Sequence, residues 1–230
     1  MTRRISLVLL AAVMGCSKLP VAEQGVVGIE VRVPGPDTVE VGETIQLTAK
    51  PLDTNGDSVG TPVTWVSADL SATIDPSSGL LTGVSPGSAR VQASVGGLSS
   101  ALITFAVVAP ADTLLISGDS VVAAIRTDPS SPPLTTQLQS FNPAGPLEGR
   151  GVIYAITSPD PAATTPSVLL AGNVVADTLV TASDGTASAT LSVVPGGTPP
   201  DTVIVTVRAE RTRGAAVPGS GQRFIVVYQP

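Results

Sequence analysis

RVQASVGGLSSALITFAVV, residues 90–108, alternates apolar and polar side chains on both sides of a glycine pair. Val91, Ala93 and Val95 share one face; Arg90, Gln92 and Ser94 share the other. After Gly96-Gly97, Ala101, Ile103, Phe105 and Val107 again share a face. A period of two belongs to a strand buried on one side. Two such strands across Gly-Gly predict a hairpin, because glycine accepts the positive φ of a type I′ turn. The same alternation extends outward. TIQLTA (44–49) sets Ile45, Leu47 and Ala49 together, and PVTWVS (62–67) sets Val63 with Trp65. After a break at 108–111, a second strand set begins at Leu114. It runs through LTTQLQSF (134–141), GVIYAIT (151–157), TLVTAS (178–183), TASATLSVV (186–194), TVIVTVRA (202–209) and RFIVVYQ (223–229). Asp184-Gly185 reads as a second hairpin turn. No stretch sustains a 3.6-residue period, so the chain is predicted to be all-β, with two β-sandwiches in tandem.

Composition removes several functions. The 230 residues contain no histidine and one cysteine. Histidine-based catalysis, histidine metal sites, an intrachain disulfide and a cysteine-rich zinc site are therefore excluded. The net charge of −6 with only two lysines argues against a nucleic-acid partner. The densest basic stretch, Arg208, Arg211 and Arg213, reads as a solvated strand end or loop.

The N-terminus carries an address. In MTRRISLVLLAAVMGC, Arg3 and Arg4 precede an uncharged run from Ile5 to Gly15. That run is too short to span a bilayer and suits a signal-peptide core. Val13-Met14-Gly15-Cys16 resembles the bacterial lipobox, with Met14 a less usual residue at its position. The resemblance implies a signal peptide over 1–15, lipid on Cys16 and a tether over 16–25. The alternative is an ordinary secretory signal with an incidental cysteine. Lipidation accounts for a thiol that would otherwise stand unpaired. Ser17 after the cysteine carries no inner-membrane retention aspartate and is compatible, in that pattern, with the outer membrane of the cell envelope. Cleavage would remove Arg3 and Arg4 and take the net charge from −6 to −8.

Four blocks in order carry a family resemblance: VGETIQLTA (41–49), VTWVS (63–67), GLLTGV (79–84) and GSARV (87–91). Residues 26–108 resemble a bacterial Ig-like domain of group 2, the kind found in intimin- and invasin-type surface proteins. Trp65 is the large core anchor of that domain. After a linker at 109–111, residues 112–230 resemble a second Ig-like sandwich. NPAGPLEG (142–149) before Val152-Ile153-Tyr154, together with TASDGTA (181–187), is similar to group 1. There Tyr154 would take the role of Trp65. Neither resemblance implies a catalytic residue or a cofactor.

The remaining candidates for chemistry are few. Asp53, Asn55 and Asp57 place oxygens at alternate positions, as a calcium loop does. Their glycine is fourth and no glutamate follows, so an Asn-Gly turn competes with that reading. Asp69 and Asp75 near Trp65 could form a carboxylate pair but fall at strand ends and turns. Lys18 and Lys50 are poorly placed for serine–lysine catalysis, and no glycine-rich stretch precedes a helix. Phe141 is the one aromatic expected to be exposed, too little for a sugar platform. The sequence therefore leads to a non-catalytic, lipid-anchored envelope protein serving adhesion, display or spacing. It would be held to the membrane through Cys16 and face an unidentified protein or glycan partner. A ligand-binding module for glycan or calcium is the alternative.

Overall fold

The computed structural model describes residues 25–230, and every described element is a strand. The first ten are β1 (Gly28–Arg32), β2 (Thr38–Glu40), β3 (Thr44–Gln46), β4 (Thr48–Leu52), β5 (Thr64–Ser67), β6 (Ala72–Ile74), β7 (Leu80–Gly83), β8 (Gly87–Val95), β9 (Leu98–Ser99) and β10 (Ile103–Val108). One layer is β2-β10-β8-β5, with β9 beside β8; the other combines β1-β4 with β3-β7-β6. Between them Trp65, Phe105, Leu47, Leu81 and Val91 form a closed apolar core.

Eleven more strands follow: β11 (Thr113–Ser117), β12 (Val121–Ile125), β13 (Leu134–Phe141), β14 (Ala144–Pro146), β15 (Gly151–Ser158), β16 (Val168–Leu170), β17 (Ala176–Val180), β18 (Thr186–Ala189), β19 (Leu191–Val193), β20 (Thr202–Ala209) and β21 (Gln222–Gln229). The sheet β12-β21-β20-β15-β17 faces a layer made of β11-β13-β14, β18 beside β13, and β16-β19. A second core lies between, built on Tyr154, Phe224, Leu134, Leu138 and Val205. Among the described residues no strand before Val108 pairs with one after it. The molecule is thus two β-sandwiches, each with its own core.

Both sandwiches use one plan. The chain starts in one layer as β1 or β11, then crosses to the other as β2 or β12. There it pairs in parallel with the last strand, β10 or β21. Among the described residues the other strand ladders are antiparallel, with one isolated parallel bridge, Val41 to Gly83.

Three expectations need correction. The Gly96-Gly97 turn is present, with Val95 opposite Leu98, but only Gly96 has a positive φ, so it is not type I′. Its second strand is also broken. Ser100 folds inward, its hydroxyl accepting the Ala93 N–H at 3.1 Å, and the ladder resumes one residue out of step at Ile103. Ala101 sits in that bulge and is exposed. Asp184-Gly185 turns the chain but closes no hairpin: β17 pairs with β15, while β18 pairs with β13 in the opposite layer. TIQLTA likewise divides at Leu47, whose N–H makes the last bond in the β3–β7 register, to the Gly79 carbonyl at 3.0 Å. β3 then serves β7, and β4 serves β1. In TIQLTA the change of partner leaves the alternation intact, whereas the bulge at Ser100 shifts it by one residue.

Gly79 is required twice. Its φ is +75°, and a Cβ there would lie 2.7 Å from the Trp65 indole nitrogen. The tryptophan is packed against bare backbone.

Turn carboxylates fix several of these corners. Asp75 accepts the N–H of Ser77 (3.0 Å) and Ser78 (2.7 Å) and the Ser77 hydroxyl (2.8 Å). These bonds hold its pKa well below the usual range. Asp69 is lowered from 3.8 to about 2, first by hydrogen bonds from the Arg90 side chain and then from its backbone N–H. Asp184 is lowered by the hydroxyl and N–H of Thr186. In the unfolded chain such carboxyls titrate near 4. Their folded values lie lower, so their contribution is complete above about pH 5 and is lost as pH falls toward 2. The urea midpoint should stay flat from neutral pH to about 5 and then drop. The Asp75→Ala variant should show a lower midpoint at pH 7 and a smaller acid drop. A wild-type midpoint unchanged down to pH 2 would contradict this.

Candidate functional site

The strand directions place β2 and β10 so that Glu40 and Val108 end at the same pole of the first sandwich. The second sandwich meets that pole with the ends of β13 and β20 and the start of β15. Its loops carry three arginines toward it.

Glu40 is the centre of the contact and is fully buried. One carboxylate oxygen, Oε1, pairs with Arg150 Nη2. The other, Oε2, accepts the Ala111 N–H at 3.1 Å and lies 3.8 Å from Arg211 Nε. Arg211 also pairs with Asp112 at 3.1 Å, and Asp112 accepts the Phe141 N–H at 2.7 Å. Two acids and two bases thus share a site with no net charge. Around it, the Thr212 hydroxyl donates to Glu43, and Arg213 donates to the carbonyls of Pro34 (2.7 Å) and Pro36 (3.0 Å). Burial, and then the nearby Arg211 charge, lower the Arg150 pKa from its usual value.

Local structure aims each group. Glu43 accepts the Glu40 N–H at 2.9 Å and donates its own N–H to the Glu40 carbonyl at 3.0 Å, closing the corner after β2. Buried Thr181 donates its N–H to the Arg150 carbonyl at 2.9 Å, its carbonyl accepts the Gly149 N–H at 2.9 Å, and its hydroxyl accepts the Arg150 N–H at 3.0 Å. That ties the loop before β15 to the end of β17. Arg211 and Arg213 lie on a tight turn closed by Arg211 N–H to Ala215 O at 2.7 Å, with Val217 buried behind it. A charge cluster buried this way positions the two sandwiches; it offers no free base, nucleophile or open ligand position.

The arginine stretch therefore differs from its sequence reading. Arg208 is exposed, but Arg211 and Arg213 are the clamp between the sandwiches. Glu40, Asp112 and Arg150 were not singled out from the sequence. Glu40 ends β2 flanked by Val39 and Val41, and those two apolar neighbours are its local sign.

The other candidates fall as follows. Cys16, with the signal segment and most of the tether, lies outside the described residues. Asp53 Oδ1 accepts the N–H of Asn55 (2.8 Å) and Asp57 (2.9 Å), so that oxygen caps its own turn. Among the described residues no three or more acidic, histidine or cysteine side chains are grouped to hold a metal. Asp69 and Asp75 each bind separate partners. Trp65 is 4% exposed; Tyr154 is fully buried, its hydroxyl bonding Thr136 and the Ala187 carbonyl, each at 2.7 Å. Phe141 is 66% exposed at the junction end of the second sandwich. Among the described residues no helix is long and apolar enough to cross a membrane.

Residues 31–104 match the family described as bacterial Ig-like domain (group 2). The match covers most of the first sandwich. No curated protein matches the chain. Among solved structures, the Yersinia pseudotuberculosis adhesin InvE is similar at 19% identity and a TM-score of 0.37, covering 90% of this chain and 61% of that one. Domains 4 and 5 of the S-layer protein SbsC align at 14% identity and 0.34, covering 89% and 99%. The D00-D0 domain of intimin aligns at 16% and 0.31, covering 86% and 99%. The chain thus spans about three fifths of the adhesin's length. Similarity at this level carries no functional argument.

Proposed function

We propose that this chain is a non-catalytic, lipid-anchored protein of the bacterial cell envelope, an arm for adhesion, display or spacing. The supporting observation is the junction. Gly28 and Leu52 lie at one pole of the first sandwich and Glu40 and Val108 at the other. The second sandwich continues from there, and β21 runs on toward the far end. The two bodies stand end to end with a neutral charge cluster fixing the joint. In this reading Cys16 carries the lipid, and the short tether over 16–25 holds the first sandwich close to an outer-membrane surface. Several acyl chains make such an anchor durable.

A Cys16→Ala change, or globomycin treatment, should move the chain out of the membrane fraction or leave it unprocessed. Full membrane association under both conditions would overturn the anchor.

A further inference from the structure

Among the described residues six of the eight arginines are bonded within the fold. Arg32, Arg90, Arg126, Arg150 and Arg211 pair with carboxylates, and Arg213 donates to two carbonyls. Among the described residues only the arginine side chains of Arg208 and Arg223 have no ion pair or hydrogen bond, and both are exposed. These two also stand together. On the outward face of β12-β21-β20-β15-β17, Thr206 lies opposite Arg223, and Arg208 is two residues further along β20. The arginines are therefore diagonal neighbours, about 7–8 Å apart at Cα.

Two like charges this close repel one another, and the fold supplies no counter-charge. No outward position on the five strands is acidic. Glu210, two residues beyond Arg208, and Asp119, two residues before Val121, pair with neither arginine. The sandwich does not require the pair. Val41 N–H to Val108 O and Arg126 N–H to Gln229 O mark the same place in the two sandwiches. Counting back from it and across the ladder, Arg223 corresponds to Leu102 and Arg208 to Ser94, both uncharged.

The surface beside the pair is open. The β20–β21 register sets Gly221 opposite Arg208, and a Cβ there would meet nothing within 4 Å. Bare backbone thus floors the space next to both guanidiniums. The Thr206 hydroxyl, 3.0 Å from that of Thr157, adds a polar group at its edge. Ile153, opposite Arg208, and Ile225, two residues beyond Arg223, border it with aliphatic surface.

We propose that Arg208 and Arg223 hold the phosphate group of a phosphomonoester. Charge selects the class. The two guanidiniums carry two positive charges, and a phosphomonoester carries about −1.5 to −2 at pH 7. A carboxylate, with a single charge, leaves the pair half neutralised. Each guanidinium also presents its N–H groups as a fork that two phosphate oxygens accept together. The seat is exposed, so binding is weak and falls with salt. The group arrives either on a soluble small molecule or on a lipid, whose acyl part would lie along Ile225.

Calorimetry on the purified full-length chain should show binding of glycerol phosphate that weakens as salt rises. Arg208→Gln and Arg223→Gln should each weaken it about fivefold, and the double variant about twenty-fivefold. The melting temperature should not change, because neither side chain is bonded in the fold. Arg223→Lys keeps the charge and should still lose affinity, because the fork is gone. Lys50→Gln removes the same charge from the first sandwich and should change nothing. Acetate should compete at least about tenfold less well than inorganic phosphate. Dihexanoyl phosphatidic acid distinguishes the sources: tighter binding than glycerol phosphate assigns a lipid carrier, and equal or weaker binding a soluble one. No binding of either ligand, undiminished binding in the double variant, an equal loss in Lys50→Gln, or equal competition by acetate would overturn the proposal.

Discussion

Glu40→Ala is expected to destabilise the link between the sandwiches by about 3 kcal/mol. Removing one partner from a buried ion pair typically costs about 3–5 kcal/mol, because the remaining charge stays desolvated. Here Arg150, with 17% side-chain exposure, and Arg211 would both lose their shared carboxylate. The lower end of the range applies because both arginines reach some water, and Arg211 keeps Asp112. The chain reports on the outcome itself. Its one tryptophan, Trp65, lies in the first sandwich and both tyrosines lie in the second. Tryptophan and tyrosine emission should follow one urea transition in the wild type and two separate transitions in Glu40→Ala. Coincident transitions at an unchanged midpoint would show that the ion cluster does not couple the two bodies. Glu40→Gln should fall between, since an amide can still accept from the Ala111 N–H.

Trp65→Ala should cost the first sandwich about 3–5 kcal/mol, the range for large aromatic truncations in cores. The backbone cannot close on the void. Trp65 packs against Gly79, which is held in its turn by a positive φ and by the Leu47 N–H bond to its carbonyl. Circular dichroism should show an early first transition, followed by a separate tyrosine transition at the midpoint that the second sandwich shows in Glu40→Ala. A loss below about 1 kcal/mol would mean that the surrounding side chains had collapsed into the cavity.

The buried faces were legible because alternation is local. Val91, Ala93, Phe105, Val203 and Val205 could be placed inward from spacing alone. Strand partners were less legible. Asp184-Gly185 resembles a hairpin turn from its two residues, yet the strands on either side belong to opposite layers. What separates them is packing against β13 and β15, dozens of residues away. The junction was harder still. Glu40 meets Ala111, Arg150 and Arg211 only after both sandwiches have formed, so no spacing links them. Three arginines in six residues drew notice as a charge run, but their role depends on Glu40 and on the Pro34 and Pro36 carbonyls.

The parallel pairing of β2 with β10 and of β12 with β21 governs how the arm answers to pulling. In each sandwich the early strand and the last strand lie side by side and point the same way. Tension along the arm therefore slides them past one another, and their hydrogen bonds must fail together. Strands pulled apart from one end would lose their bonds one at a time. The two joints are unequal: three residue pairs align β2 with β10, and five align β12 with β21. Under load the first sandwich yields before the second, lengthening the chain while the second keeps its shape.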